Sequence, residues 1–156
     1  MSLLQRLLST SNDPALTILR VTAGVVVSAH GAQKLLGWFG GHGPGATMAS
    51  FQEWFGLPPF VTALVILSDS VGALALVVGA FTRLAAAGVT LVMIGAIVLV
   101  HGRWGFFMNW YSQPRGEGFE YHLLVIAIAL VLVMRGGGAA SLDRTWSGSR
   151  GEARSA

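Results

Sequence analysis

The chain has 156 residues, 53% of them hydrophobic and only 11% charged, with mean hydropathy +0.64 and a formal charge of +3. An ordinary soluble domain carries about 25% charged residues, so the composition excludes one and indicates a single integral membrane domain. The absence of cysteine excludes disulfides, thiolate nucleophiles, iron–sulfur ligation and CxxCH haem attachment, so a redox role would need a bound cofactor, a quinone or a partner subunit.

In chain order, the opening MSLLQRLLSTSND is a short amphipathic stretch. It lacks the long apolar region and cleavage site of a signal peptide, and residues 1–13 are expected to remain as an N-terminal segment. Four apolar runs follow, at Pro14–Gly37, Phe60–Phe81, Leu84–Gly102 and Phe119–Met134. Each approaches the roughly 20 residues that a helix needs to cross a bilayer core. Asn12-Asp13-Pro14 is a helix-start signal for the first run, and the Gly-rich GGHGPG ends it. In ATMASFQEWFGLPP, Met48, Phe51, Trp54 and Phe55 fall at helical spacing, but the stretch is too short to span and reads as an interfacial or re-entrant helix. Pro58-Pro59 opens the second run. A short turn near Thr82-Arg83 makes the second and third runs antiparallel neighbours, and the aromatic-rich 103–118 connects the third to the fourth.

The fourth run is the shortest. Its uncharged stretch Tyr121–Met134 has fourteen residues, so spanning requires drawing in Glu120 or Arg135, the latter able to snorkel. The predicted fold is all-α: a transmembrane four-helix bundle over residues 14–138 with a short helix between its first two members. A polar tail, loose at its end, is expected over 139–156. Arg6, Arg83, Arg135, Arg144, Arg150 and Arg154 flank one side of the bundle, against Lys34, Arg103 and Arg115 on the other. The positive-inside rule then places both termini in the cytoplasm. The positive charge reads as membrane orientation, with the lipid bilayer and no nucleic acid as partner.

Ionisable residues in apolar runs are expensive and mark packed interiors or functional pathways. Asp69 is placed near the midplane, about 14 Å into its helix, facing the bundle interior along a stripe with Gly72, Leu76 and Gly79. Gly24, Ser28 and Gly31 form a comparable stripe near His30. His30, Lys34, His101, Glu120 and His122 gather in the outer layer, where Glu120 should need Lys34, Arg103 or His101 as partner. The catalytic candidates are thus Asp69, Glu120, His30, Lys34 and His101. His122 carries less weight, because it points to a different face from Glu120. Trp54, Phe55, Trp104 and Trp110 are interfacial anchors that could also contact a quinone or lipid ring. No metal centre is expected, and a bis-histidine haem from His30, His101 and His122 is the weaker cofactor reading, since nothing fixes their geometry.

At these residues the chain resembles the DoxX family of small four-helix bacterial membrane proteins. The resemblance rests on HGAQKLLGWFG, on GLPPFVTALVILSDSVGALALVVGAFTRLAAAG, and on EYHLLVIAIALVLVMRGGGAASLD, together covering roughly residues 16–144. The family's Gly-x-x-Lys-Leu element is met by Gly31 to Leu35, and its Gly-x-x-Thr-Arg turn by Gly79, Thr82 and Arg83. The acid of its second helix is commonly Glu and here is Asp69, one methylene shorter. The resemblance implies a location in the bacterial plasma membrane and a link to membrane redox or oxidative-stress complexes. Three functions remain open on this basis: a quinone-linked oxidoreductase subunit, a non-catalytic scaffold for a soluble or membrane redox partner, and a small proton-coupled transporter that would act as a homo-oligomer. Whether the chain is itself an enzyme is not decided by its sequence.

Overall fold

The computed structural model describes residues 2–152, with side chains through Ser147. A short helix α1 (Leu3–Leu8) is closed by a capping box between Ser2 and Gln5. Asp13 then caps α2 (Pro14–Leu36), accepting from the Ala15 amide at 2.9 Å, and Pro14 occupies the first turn, where its missing N–H costs nothing. Gly37, at φ 72°, ends α2 in the left-handed conformation. The segment expected to form a short helix does so as α3 (Gly43–Phe55), followed by Gly56. Pro59 starts α4 (Pro59–Val78), and α5 (Thr82–Trp104) returns antiparallel to it. Helix α6 (Glu120–Arg135) comes after the 103–118 loop, and α7 (Leu142–Glu152) follows it.

Helices α2, α4 and α5 are long and apolar enough to cross a membrane. At 16 residues, α6 is about 24 Å long. It is shorter than these three and begins at Glu120 and ends at Arg135. The four helices share a core in which Val27 of α2, Ala73 and Leu76 of α4, Val89 and Met93 of α5, and Ala129 and Leu132 of α6 are buried. Ile18, Leu64, Leu74, Leu91, Val98 and Leu124 are exposed. Aliphatic side chains covering the outside of apolar helices are the exterior of a membrane protein, the reverse of a soluble bundle's polar coat.

Two helices depart from α geometry. A π-helical turn interrupts α4 at Ser68–Gly72, and another lies in α5 at Ile97–His101. Each widens the hydrogen-bonded ring, so side chains beyond it leave the register that 3.6-residue counting assigns. The small-residue stripes change accordingly. Gly24 and Gly31 do admit α4: a Cβ on Gly24 would lie 2.8 Å from the Ala73 carbonyl oxygen, and one on Gly31 would overlap the backbone of Asp69. Ser28, in contrast, bonds within its own helix to Val25. Gly72 sits inside the π turn with only its own helix close by, and Gly88 of α5 instead receives Ser68.

Buried charge ties the start of α2 to the α4–α5 turn and to residues 137–143. Arg20 is 1% exposed and donates to the carbonyls of Gly137 (2.8 Å), Leu76 (2.7 Å), Val77 and Ala140. Asp143, equally buried, accepts from the amides of Phe81 (2.6 Å) and Thr82 (2.8 Å), capping α5 from a distant part of the chain. Arg83 reaches Ser9, Val133 and Met134. Residues 139–143 are therefore built into the bundle. The expected loose end at 153–156, and the side chains of Arg150 and Arg154 used in the orientation argument, lie outside the described residues.

Candidate functional site

Lys34 occupies the last turn of α2, and Asp69 the π turn of α4. The Lys34 ammonium donates to Asp69 Oδ2 at 2.8 Å, and the same nitrogen lies 3.4 Å from the His30 carbonyl. Asp69 is 1% exposed and the Lys34 side chain 20%. Asp69 Oδ1 has no protein partner. Desolvation cancels much of the attraction within such a pair, so its presence is poor evidence of a stability role. It is better evidence of a place where charge is used.

Further polar groups surround the pair. His30, one turn before Lys34, has its ring 6.3 Å from that of Tyr121. Tyr121 lies 5.3 Å from its neighbour His122, whose ring is 4.2 Å from His101 of α5. His101 Nδ1 is 2.9 Å from the Glu117 carbonyl oxygen. His122 is buried, and its Nδ1 and the Tyr121 hydroxyl have no protein partner. Among the described residues no three His, Asp or Glu are arranged to hold a metal ion. The His101 and His122 rings are in contact, leaving no room for a porphyrin between them.

The structure thus brings His30, Lys34, Asp69 and His101 together and adds two members. Tyr121 carried no sequence signal beyond its position beside His122. The divergence from Glu120 that lowers the weight of His122 in the sequence is what turns it inward. Glu120 joins neither Lys34, Arg103 nor His101. Its Oε1 accepts from the Met108 amide at 2.9 Å and the Trp110 indole at 3.0 Å, bracing the 103–118 loop. Glu117 similarly holds the Asn109 amide. Arg103 lies over the Trp104 ring, 4.9 Å from its centroid.

The four candidate ring contacts are placed apart from this cluster. Trp54 and Trp110 are exposed, Phe55 packs edge-on with Phe51, and Trp104 faces Gly116. An apolar groove of about 250 Å³ lies between the start of α3 and α4, bounded by Leu35, Met48, Ala63, Ile66, Leu67, Ser70 and Val71; neither Lys34 nor Asp69 lines it. Its walls are aliphatic, with none of the four aromatics among them. His42 is exposed at the start of α3. Arg20, buried inside the first apolar run, was missed by the sequence reading, although an arginine there is itself a signal of a buried partner.

The family model described as DoxX matches residues 15–102, more than half of the chain. The match includes His30, Lys34, Asp69 and His101, whereas Tyr121, His122 and the resemblance seen in 120–143 lie beyond it. No curated protein and no solved structure matches the chain. The chain belongs to the DoxX family.

Proposed function

We propose that this protein is the membrane subunit of a quinone-linked redox system, with the Lys34–Asp69 pair at the head-group site. The observation that carries this reading is a buried carboxylate with one oxygen paired to Lys34 and the other unpartnered; an apolar groove lined by their chain neighbours Leu35 and Ser70 supports it. Reducing a quinone places two electrons on the ring and a proton on each carbonyl oxygen. The Lys34 ammonium and the Tyr121 hydroxyl are donors for those oxygens, Asp69 holds Lys34 in place, and the groove accepts apolar substituents. With no cysteine to ligate a redox centre, the electrons come from a soluble or membrane oxidoreductase partner.

In this reading all four bundle helices span the bacterial plasma membrane, with both termini cytoplasmic and residues 14–138 as the membrane domain. Two features support it: α6 shares the core with the longer spans, and Arg135 is exposed at its end, free to snorkel. A second reading, a proton-coupled carrier, draws on the π turns in α4 and α5, since such turns are frequent at functional sites.

The test is gentle purification in detergent, followed by quinone analysis of the extracted lipid and identification of co-purifying proteins. Wild-type protein should retain quinone, and Asp69→Asn should lose it while remaining folded. Equal quinone in both would refute the head-group assignment. A quinone-free protein that retains its redox partner in both forms would indicate a scaffold, and a solitary quinone-free protein would favour the carrier.

A further inference from the structure

We infer that His122 and His101 form a proton relay joining the loop end of the bundle to the buried Lys34–Asp69 pair. The inference deepens the head-group reading and relies on it only for the final proton acceptor.

The first observation is contact. The two rings lie 4.2 Å apart on different helices, one half-buried and the other buried. The second is unsatisfied bonding capacity. A buried polar atom without a partner costs about 1–3 kcal/mol, yet Tyr121 Oη, His122 Nδ1 and Asp69 Oδ1 are all left this way within one cluster. Such atoms are placed to exchange hydrogen bonds with a transferable group. The third is continuity. The Tyr121 ring lies 5.3 Å from His122 and 6.3 Å from His30, whose carbonyl is 3.4 Å from the Lys34 nitrogen that bonds to Asp69.

The chemistry follows from the partners. The Glu117 carbonyl can only accept, so neutral His101 carries its hydrogen on Nδ1, and Nε2 is the atom that takes up a proton. That proton passes to His122, which accepts at one ring nitrogen and releases from the other. It then reaches Asp69 Oδ1 through Tyr121 or His30, with a water bridging the wider ring spacings. Each proton received is one released, and no electrons move. Glu117 and Glu120 each hold the loop through a carboxylate oxygen. Towards the termini lie the aliphatic core residues Val27, Leu76, Val89 and Leu132, and the far end is closed by Arg20 and Asp143. Asp69 and His101, the two ends of the relay, both sit in π turns, a backbone feature frequent at functional sites.

The relay can be tested without turnover. Protein in lipid nanodiscs is subjected to a rapid acid jump, and protonation of the Asp69 carboxyl is followed by infrared spectroscopy, with Asp69→Asn identifying the band. His122→Phe and His101→Phe should slow protonation about a hundredfold, the low end of what a positioned acid–base group contributes, and His42→Phe should leave it unchanged. Rates within twofold of wild type in both relay variants would overturn the inference. If His122→Phe does not fold, the half-buried His101 decides the matter alone. The two readings separate cleanly: slowed protonation in a protein that never binds quinone keeps the relay and removes the head-group site, whereas unslowed protonation with quinone retained does the reverse.

Discussion

Gly31 of α2 lies against the Asp69 backbone so closely that a Cβ at position 31 would overlap the Asp69 carbonyl group. The Lys34–Asp69 ion pair, less than one turn further along α2, depends on that approach. Gly31→Ala should therefore push α2 from the π turn at a cost of about 1–3 kcal/mol, as for other overpacked contacts. Thermal unfolding in detergent would register the loss. A variant as stable as wild type would show that the helices are not held this close.

The pair itself should behave as a matched charge couple. Asp69→Leu or Lys34→Met alone strands its partner, with a loss below the roughly 3–5 kcal/mol typical of fully buried pairs, since Lys34 keeps 20% exposure. The double variant should recover most of that loss. A double-mutant cycle on unfolding free energies measures the coupling, and additive effects would contradict it.

Asp143 caps α5 through the amides of Phe81 and Thr82, and Phe81 adopts the left-handed conformation, at φ 47°, which is strained for a side chain of this kind. Asp143→Ala removes both bonds and should cost about 2 kcal/mol, near the upper limit for a helix cap. Asp143→Asn should fall between the two. Chemical denaturation of the three proteins gives the order.

Glu120 is expected to act on the loop and not on the ion pair. Glu120→Ala frees the Met108 amide and the Trp110 indole, so the 103–118 loop should become more sensitive to limited proteolysis. Quinone retention should stay at the wild-type level. Loss of quinone without loosening of the loop would return Glu120 to the site.

Several features could be read along the chain because they depend on local length and periodicity. The apolar runs, the short helix before Gly56 and the shortfall of the last run all follow from residue counts against a fixed rise per residue. His30 and Lys34 could be placed on one face for the same reason. Gly72 is the exception in its stripe: it lies inside the π turn at Ser68–Gly72 and meets only its own helix, whereas Asp69 and Leu76 are buried and Gly79 lies against Ser141.

Composition, run length and motif order already mark an all-helical membrane protein of the DoxX family, and they name the residues that bring charge into its apolar runs. How those charges are partnered follows from helix packing. It joined Lys34 to Asp69, turned His122 and Tyr121 inward, gave Glu120 to the loop and buried Arg20 under four carbonyls. The physical reason is that periodicity fixes the faces of one helix, whereas partnership depends on how closely and at what rotation two helices meet. Here both were set by missing side chains at Gly24 and Gly31 and by two π turns that shift the register.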